Sequence, residues 1–424
     1  MGLTGRSCIR VRLTGFLSMM LKNKGLWFLL GGALLAAVPA AAQITAPREA
    51  AQIEFGPLSL YPSLQILDAG VDENVFNDGT EPQRDYTLTV ASRMLAVIRL
   101  GANELMLQSG NDYVWFQEFD SERSSNAQYS MRFNLSASRF KPFVGLERIR
   151  TRARRSPEID VRARRIDRSG IAGLAFDLTP RTSLTASARA DESTYDEGEQ
   201  FRGVALDTAL NRSGRGADAG VRYALTPLTT LNVTAGYEEQ TFKESHIRDV
   251  RRYTVGPSLE FSPEAAIRGR AAAAVERFKP EDPALAQRTG VAYMAQLNWS
   301  LYGRTTFDLG AGRNISYSYQ DTEPYYLLTN VRLAVNQPLA GRLDVYVGAD
   351  WDHMAYRWRR GGAEPPGEAD RIDTLTGASG GVAVSLGRGF RVRIGIEKTR
   401  RRSVEQPLQN FDRTRILSTV TVGS

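Results

Sequence analysis

The sequence predicts an all-β fold: a transmembrane antiparallel up-and-down β-barrel of about 18 strands (16–18), with short periplasmic turns and long extracellular loops. Three observations carry that reading. Apolar and polar side chains alternate with a period of two again and again along the chain. Tight turns alternate with longer polar connections. The N-terminus reads as an export signal.

At the N-terminus, Lys22 and Lys24 precede an apolar run from Leu26 to Val38, and the small residues Ala40, Ala41 and Ala42 follow. This is the three-part pattern of a Sec-type secretory signal, with cleavage expected near Ala42. The run falls short of the roughly 20 residues a helix needs to span a bilayer. The expected organisation is a leader and signal over 1–42, a short periplasmic segment over 43–63, and the barrel over 64–424. Residues 1–18 read as extra leader, with Met19 or Met20 as an alternative start.

The chain carries a formal charge of +7. Residues 1–42 hold five basic residues (Arg6, Arg10, Arg12, Lys22, Lys24) and no acidic ones, so the remainder has 49 basic against 47 acidic residues. A net of +2 does not indicate a nucleic-acid partner. Cys8, the single cysteine, also lies in the leader, which leaves no disulfide framework. After residue 42 no apolar stretch approaches helical spanning length.

The strands follow from the alternation. A β-strand sends successive side chains to opposite faces. Phe390, Val392, Ile394 and Ile396 therefore share one face, while Arg391, Arg393, Gly395 and Glu397 share the other. Tyr129 to Ala137, Val291 to Leu301, Leu327 to Val335 and Leu343 to Trp351 repeat the pattern. Tight turns are expected at 100–104, 138–142, 178–183, 225–230, 261–266, 301–305, 336–342 and 386–390. Longer polar stretches lie at 120–126, 153–165, 196–212, 279–289 and 359–371. Strands on either side of eight turns make sixteen. One more near Leu64–Phe76 and another near Asn410–Val422 bring the count to eighteen.

Three of the turns share a pattern. Pro180, Pro227 and Pro263 are each followed at the fourth residue by Leu184, Leu231 or Ile267, and at the eighth by Ala188, Ala235 or Ala271. The fifteenth is Tyr195, Phe242 or Phe278. Its odd offset puts these aromatics on the other face unless a bulge intervenes, and the alternatives stay open. A soluble sandwich would have to cover so many apolar faces with a second sheet, and sandwiches rarely reach this many strands. A closed barrel pairs every backbone group and turns the apolar faces to lipid. Phe390, Val392, Ile394 and Ile396 are thus expected at lipid, and Arg391 and Arg393 in the lumen.

Catalytic chemistry is sparse. His246 lies in a polar loop, and His353 follows Asp352, so on a strand the two adjacent side chains face opposite sides and cannot relay a proton. No metal-ligand spacing and no phosphate-cradling loop occurs, and no cofactor is expected. The acids Asp191, Glu192, Asp196, Glu197 and Glu199 lack the spacing of a calcium loop and read as a solvated loop. Candidate lumen-lining residues are Arg93, Arg99, Arg132, Arg189, Arg332, Arg391, Arg393, Asp344 and Asp350, with Glu260 and Asp308 beside them. Charges of both signs make a transverse field rather than a strong ion filter. The arginine-rich run 148–168 offers Arg154, Arg155, Arg162, Arg164 and Arg165 as outer-loop contacts for an acidic glycan or a lipopolysaccharide phosphate. The competing reading is that loop acids neutralise them.

One segment resembles a known family. Gly56-Pro57-Leu58, Tyr61-Pro62-Ser63-Leu64 and Asp72-Glu73-Asn74-Val75-Phe76 are similar to the opening of the putative beta-barrel porin-2 family, and the repeated Leu-Thr-Pro hairpins fit it over most of 55–424. The resemblance implies an outer-membrane barrel of a Gram-negative cell, often associated with exopolysaccharide export, and no catalytic residue. One departure is the C-terminus, which ends Ser-Thr-Val-Thr-Val-Gly-Ser rather than on an aromatic residue. The expected function is porin-like passage or export of a hydrophilic solute. The alternatives are a closed structural or adhesin-type barrel that serves as a docking platform and, more remotely, an outer-membrane hydrolase. Expected partners are outer-membrane lipid and lipopolysaccharide, with polysaccharide or export machinery beyond them.

Overall fold

The computed structural model describes residues 53–359, 371–387 and 389–422. Eighteen long strands form the wall. They are β1 (Leu58–Asp72), β2 (Asp85–Leu100), β3 (Asn103–Phe116), β4 (Ser124–Asn134), β5 (Phe140–Ala153), β6 (Ala163–Asp177), β7 (Thr182–Tyr195), β8 (Arg212–Thr226) and β9 (Thr229–Phe242). The second half comprises β10 (Val250–Phe261), β11 (Ile267–Pro280), β12 (Arg288–Leu301), β13 (Thr305–Tyr317), β14 (Tyr325–Ala340), β15 (Leu343–Arg357), β16 (Ile372–Gly387), β17 (Phe390–Ser403) and β18 (Phe411–Val422). Each pairs antiparallel with its sequence neighbours, and β1 pairs with β18 from Leu64–Val422 to Asp72–Arg415. The sheet closes on itself, so the wall has no free edge.

Each of the eight expected tight turns has a counterpart at one end of the barrel. Tyr302 and Gly303 both adopt positive φ, at 51° and 67°, the geometry that matches the twist of a tight hairpin. The turn expected at 138–142 occupies the start of that span. Ser138 takes the positive φ of 55°, Ala137 bridges back to Phe140, and β5 already begins at Phe140. β1 begins at Leu58, ahead of the Leu64 start read from the sequence, because Ile53–Phe55 folds back on it through Gly56-Pro57. The leader, its cleavage site and the start of the expected periplasmic segment lie outside the described residues. Among the described residues no helix is long and apolar enough to cross a membrane, and the barrel crosses with strands.

Burial separates the two faces of the wall. Val144, Leu146, Val221, Val233, Val255, Val275, Val291, Ile394, Ile396 and Ile416 are exposed on the outside. The opposite faces carry the charged residues, and alternate strands reach each other across the concave surface. Arg391 of β17 pairs with Asp344 of β15 over the intervening β16. Along Phe390–Glu397, Ile394 and Ile396 face out, and Arg391 and Arg393 face in.

The residues Asp72 to Phe76 clasp the closing seam. Asp72 accepts from Arg413 Nε at 2.9 Å, and Asn74 Nδ2 donates to the Asp412 carbonyl at 2.9 Å. Within β10, Pro257 has no N–H to give, and the β10–β11 ladder lapses between Val255–Val275 and Ser258–Ala272. The β12–β13 ladder stops at Tyr293–Arg313, short of the upper ends of both strands. Above that point the β13–β14 hairpin leans over the lumen. Its Ile315, Tyr325 and Leu327 pack against Val250, Phe278 and Leu285.

Candidate functional site

Two regions carry the chemistry: the charged inner wall and the loop assembly at the mouth. On the wall, the expected inward residues are mostly held by partners. Arg93 pairs with Asp112, and Arg99 Nε lies 3.6 Å from Glu104 Oε2. Arg189 bridges Asp218 on the next strand and Glu238 two strands away, the latter at 3.0 Å. Arg332 stands opposite Asp350 in the β14–β15 register. Arg270 Nε lies 3.9 Å from Glu260, and Asp308 accepts from Asn298.

Two arginines differ. Arg132 lies over the Phe143 ring at 4.4 Å and donates to Asn134 Oδ1 at 3.0 Å. Arg393 lies over the Tyr346 ring at 4.1 Å. Neither forms an ion pair with a carboxylate among the described residues. A guanidinium stacked on a ring keeps its in-plane N–H edge available. Both sit near the short-turn rim, in β4 just before its end at Asn134 and in β17 just after its start at Phe390.

At the opposite end, the loops 154–162 and 196–211 turn into the barrel. The second holds the short hairpin Gln200–Phe201 with Val204–Ala205 and one helical turn, α1 (Leu206–Leu210). Ile159, Phe201, Leu206, Ala209 and Leu210 form a buried cluster with Tyr195, Phe242 and Tyr319. Phe201 meets Tyr319 at 4.8 Å, and Phe242 meets Tyr317 at 4.9 Å, both edge-on. The fifteenth residues of the Pro repeats, Tyr195, Phe242 and Phe278, therefore point inward, as an odd offset demands, and all are at most 2% exposed. They are the pegs on which the mouth is built.

Polar ties cross the same mouth. Arg401 Nη1 donates to the Pro157 and Glu158 carbonyl oxygens at 3.1 Å each, and its Nη2 pairs with Asp373 at 2.8 Å. Arg371 joins Glu323 at 3.1 Å and Asp373 at 2.5 Å. Ser318 Oγ donates to Glu158 Oε1 at 2.7 Å, and Arg248 Nε donates to the Ser318 carbonyl at 2.9 Å. Burial pushes the Glu158 carboxyl up to about 7, against the pull of Ser318 and the nearby Arg371 and Arg401. Burial raises Glu323 as well, opposed by Arg371.

The outer-loop arginines divide. Arg154 is wrapped by the carbonyls of Asp160 and Val75, and burial pushes its guanidinium down to about 9. Arg155 donates to Ser193 Oγ at 2.7 Å, and Arg165 pairs with Asp167 at 2.7 Å. Arg162 donates to Ser124 Oγ at 2.9 Å and lies 3.4 Å from Glu122, and burial pushes it down to about 10. These four follow the loop inward and are occupied by the protein itself. Arg164 alone stays on the outer face, exposed and without a side-chain partner.

Sequence reasoning missed Glu158, Arg371, Asp373 and Arg401. No local pattern marks them, because Glu158 and Arg401 lie 243 positions apart and meet only across the mouth. Asp218 and Glu238 were findable, since strand parity puts them inward. Of the histidines, His246 pairs with Asp249 at 3.0 Å in an exposed turn. His353 faces out, stacked near Trp351 at 5.5 Å, while Asp352 faces in. Among the described residues no cluster of His, Cys, Asp and Glu is placed to hold a metal ion.

Solved structures similar to this chain include OccK3 (OpdO) of Pseudomonas aeruginosa, 13% identical over 86% of this chain and 95% of that one, with a TM-score of 0.44. OccK2 (OpdF) of the same organism in complex with glucuronate is 12% identical over 86% and 98%, with a TM-score of 0.47. A BenF-like porin from Pseudomonas fluorescens Pf-5 is 12% identical over 86% and 99%, with a TM-score of 0.46. No curated protein sequence matches the chain. The Putative beta-barrel porin 2 family matches residues 46–424, and the chain, an outer-membrane porin-like barrel, belongs to it.

Proposed function

We propose that this barrel passes an acidic saccharide outward from the periplasmic side, in association with exopolysaccharide export. One observation carries the reading: Arg132 and Arg393, each backed by an aromatic ring, face the lumen near the short-turn rim without a carboxylate partner. In bacterial barrels that rim is periplasmic. A ring with a guanidinium edge suits a sugar acid, because the ring covers the apolar face of a sugar while the edge pairs with its carboxylate. Arg93, Arg99, Arg189 and Arg391 are paired with carboxylates of the wall, so their contacts with a solute stay individually weak and allow release. The mouth loops act as the constriction at the outer end.

A second reading rests on the ties across that mouth. If Arg401, Glu158 and Arg371 hold the loops shut, the barrel is a closed docking platform. Planar-bilayer conductance and liposome flux with neutral and anionic oligosaccharides separate the two. Stable conductance steps, with anionic sugar flux above neutral flux that Arg132→Gln with Arg393→Gln abolishes, support passage. A folded, heat-modifiable barrel with neither conductance nor flux supports the platform.

A further inference from the structure

On the outer surface, β4 and β5 part company. Their ladder runs from Asn134–Phe143 up to Ala127–Arg150 and ends there. Above it, Ser124–Asn126 pair only with β3, and Thr151–Ala153 only with β6. A depression of about 310 Å³ occupies this splayed seam. Its lining includes Arg123, Ser125, Arg150, Arg152 and Arg164, with Asp196 as its one acidic residue.

The charges around it do not balance. On the outward face, register places Arg152 opposite Arg164, and Arg148 opposite Arg168. Like charges directly opposite each other on a sheet are destabilising. Arg168 is answered by Glu192 at 2.8 Å, Arg152 by Glu122 at 3.3 Å, and Arg123 by Asp120 at 2.5 Å. Arg148, Arg150 and Arg164 have no side-chain partner among the described residues. Four arginines elsewhere on the outer rim are answered: Arg215 meets Glu239, Arg251 meets Glu281, and Arg400 and Arg402 share Asp412.

The height of the cluster identifies its surroundings. Along β5 the outward residues are Phe140, Pro142, Val144 and Leu146, and then Arg148 and Arg150. At ~3.3 Å per residue and a tilt of ~40°, Phe140 to Arg148 rises about 20 Å along the membrane normal. An apolar band about 25 Å tall therefore ends near Arg150. Tyr129, exposed beside Arg148 in the register, marks the aromatic girdle at that level. The unpaired guanidiniums stand where headgroup phosphates of the outer leaflet lie.

We propose that the β4–β5 seam is a binding site for the phosphorylated headgroup of an outer-leaflet glycolipid, held by Arg150 and Arg164 with Arg148 and Arg152 flanking. Guanidinium binds phosphate through paired N–H donors, and a phosphate between Arg150 and Arg164 answers two charges that the protein leaves unpaired. Because the site lies outside the lumen, it does not depend on the solute.

The test is native mass spectrometry of the full-length protein in detergent, titrated with bisphosphorylated lipid A and with its dephosphorylated form. The expected result is a one-to-one adduct with the bisphosphorylated lipid only. It should weaken at least tenfold in the double variant Arg150→Gln, Arg164→Gln, partly recover with Arg150→Lys, Arg164→Lys, and remain unchanged in Lys398→Ala, a basic outward residue on β17. Heat-modifiable migration reports that each variant is folded. Equal adducts with the two lipid forms, or an undiminished adduct in the double variant, overturn the proposal. So does displacement by millimolar inorganic phosphate or by an acidic polysaccharide, which would make the seam a small-anion or glycan site.

Discussion

Arg401 of β17 donates a hydrogen bond to the carbonyl oxygen of Glu158, 243 positions earlier in the chain, at 3.1 Å across the barrel mouth. The same guanidinium pairs with Asp373 and is fully buried. One side chain thereby ties the β5–β6 loop to the far wall. Arg401→Ala would leave Asp373 with one arginine fewer and the loop carbonyls without their donor. Breaking a buried pair from one side costs about 3–5 kcal/mol. Hydrogen exchange in 154–162 should rise sharply in this variant, while the strands at the short-turn end keep their protection.

Glu158 makes the mouth sensitive to pH. Its carboxyl is raised from an ordinary 4.5 to about 7 by burial, so the closed mouth binds a proton that the opened loop gives up. Below about 4.5 the group is neutral in both states and closure is unopposed. Between about 4.5 and 7 the opened state ionises first, and each pH unit weakens closure by up to ~1.4 kcal/mol. Above 7 the loss is complete. Single-channel conductance should therefore increase from pH 5 to pH 8. Glu158→Gln should flatten that profile and hold it at the low-pH value.

The aromatic pegs should matter more than their number suggests. Phe242 is buried against Tyr317 and the loop cluster. Phe242→Ala should cost about 3–5 kcal/mol locally, as cavity-forming core substitutions do. The expected readout is protease sensitivity within 196–211 with the barrel still heat-modifiable, because the wall ladders do not depend on this ring.

The ring-backed arginines should govern selectivity without governing stability. Arg393→Gln removes a guanidinium from the Tyr346 face, a contact of about 0.5–2 kcal/mol. Reversal potential in a salt gradient should move toward cation preference, and the unfolding midpoint in urea should shift little. An unchanged reversal potential would remove Arg393 from the permeation path.

Outside the wall the penalty has the opposite sense. Ile394→Arg places a charge on the lipid face of β17, where cations near the bilayer midplane cost about 2–4 kcal/mol. Folding efficiency into vesicles should drop, whereas Arg393→Ile, one residue away but inward, should leave it close to wild type.

The wall was legible from residue order alone. Alternation at Phe390–Glu397 and at its counterparts assigns each strand residue to a face, because the side-chain period of two is a property of the extended backbone and needs no partner. The turns were legible for a similar reason, since glycine and proline act locally. At 138–142 the turn residues are Ser138 and Arg139, inside the expected span, with Ser138 taking the positive φ and the strand resuming at Phe140. Parity also contained the inward placement of Tyr195, Phe242 and Phe278, although nothing local said what they would meet.

The mouth and the outer seam emerge from barrel closure instead. The run Arg154 to Arg165 reads as one basic patch in sequence, yet the path of the loop carries Arg154, Arg155 and Arg162 inward, while parity at the start of β6 turns Arg165 in and leaves Arg164 outside. Whether a charge is free or neutralised depends on which groups closure brings beside it. Closure joins residues hundreds of positions apart, as with Arg401 and Glu158, and no local period encodes such a distance.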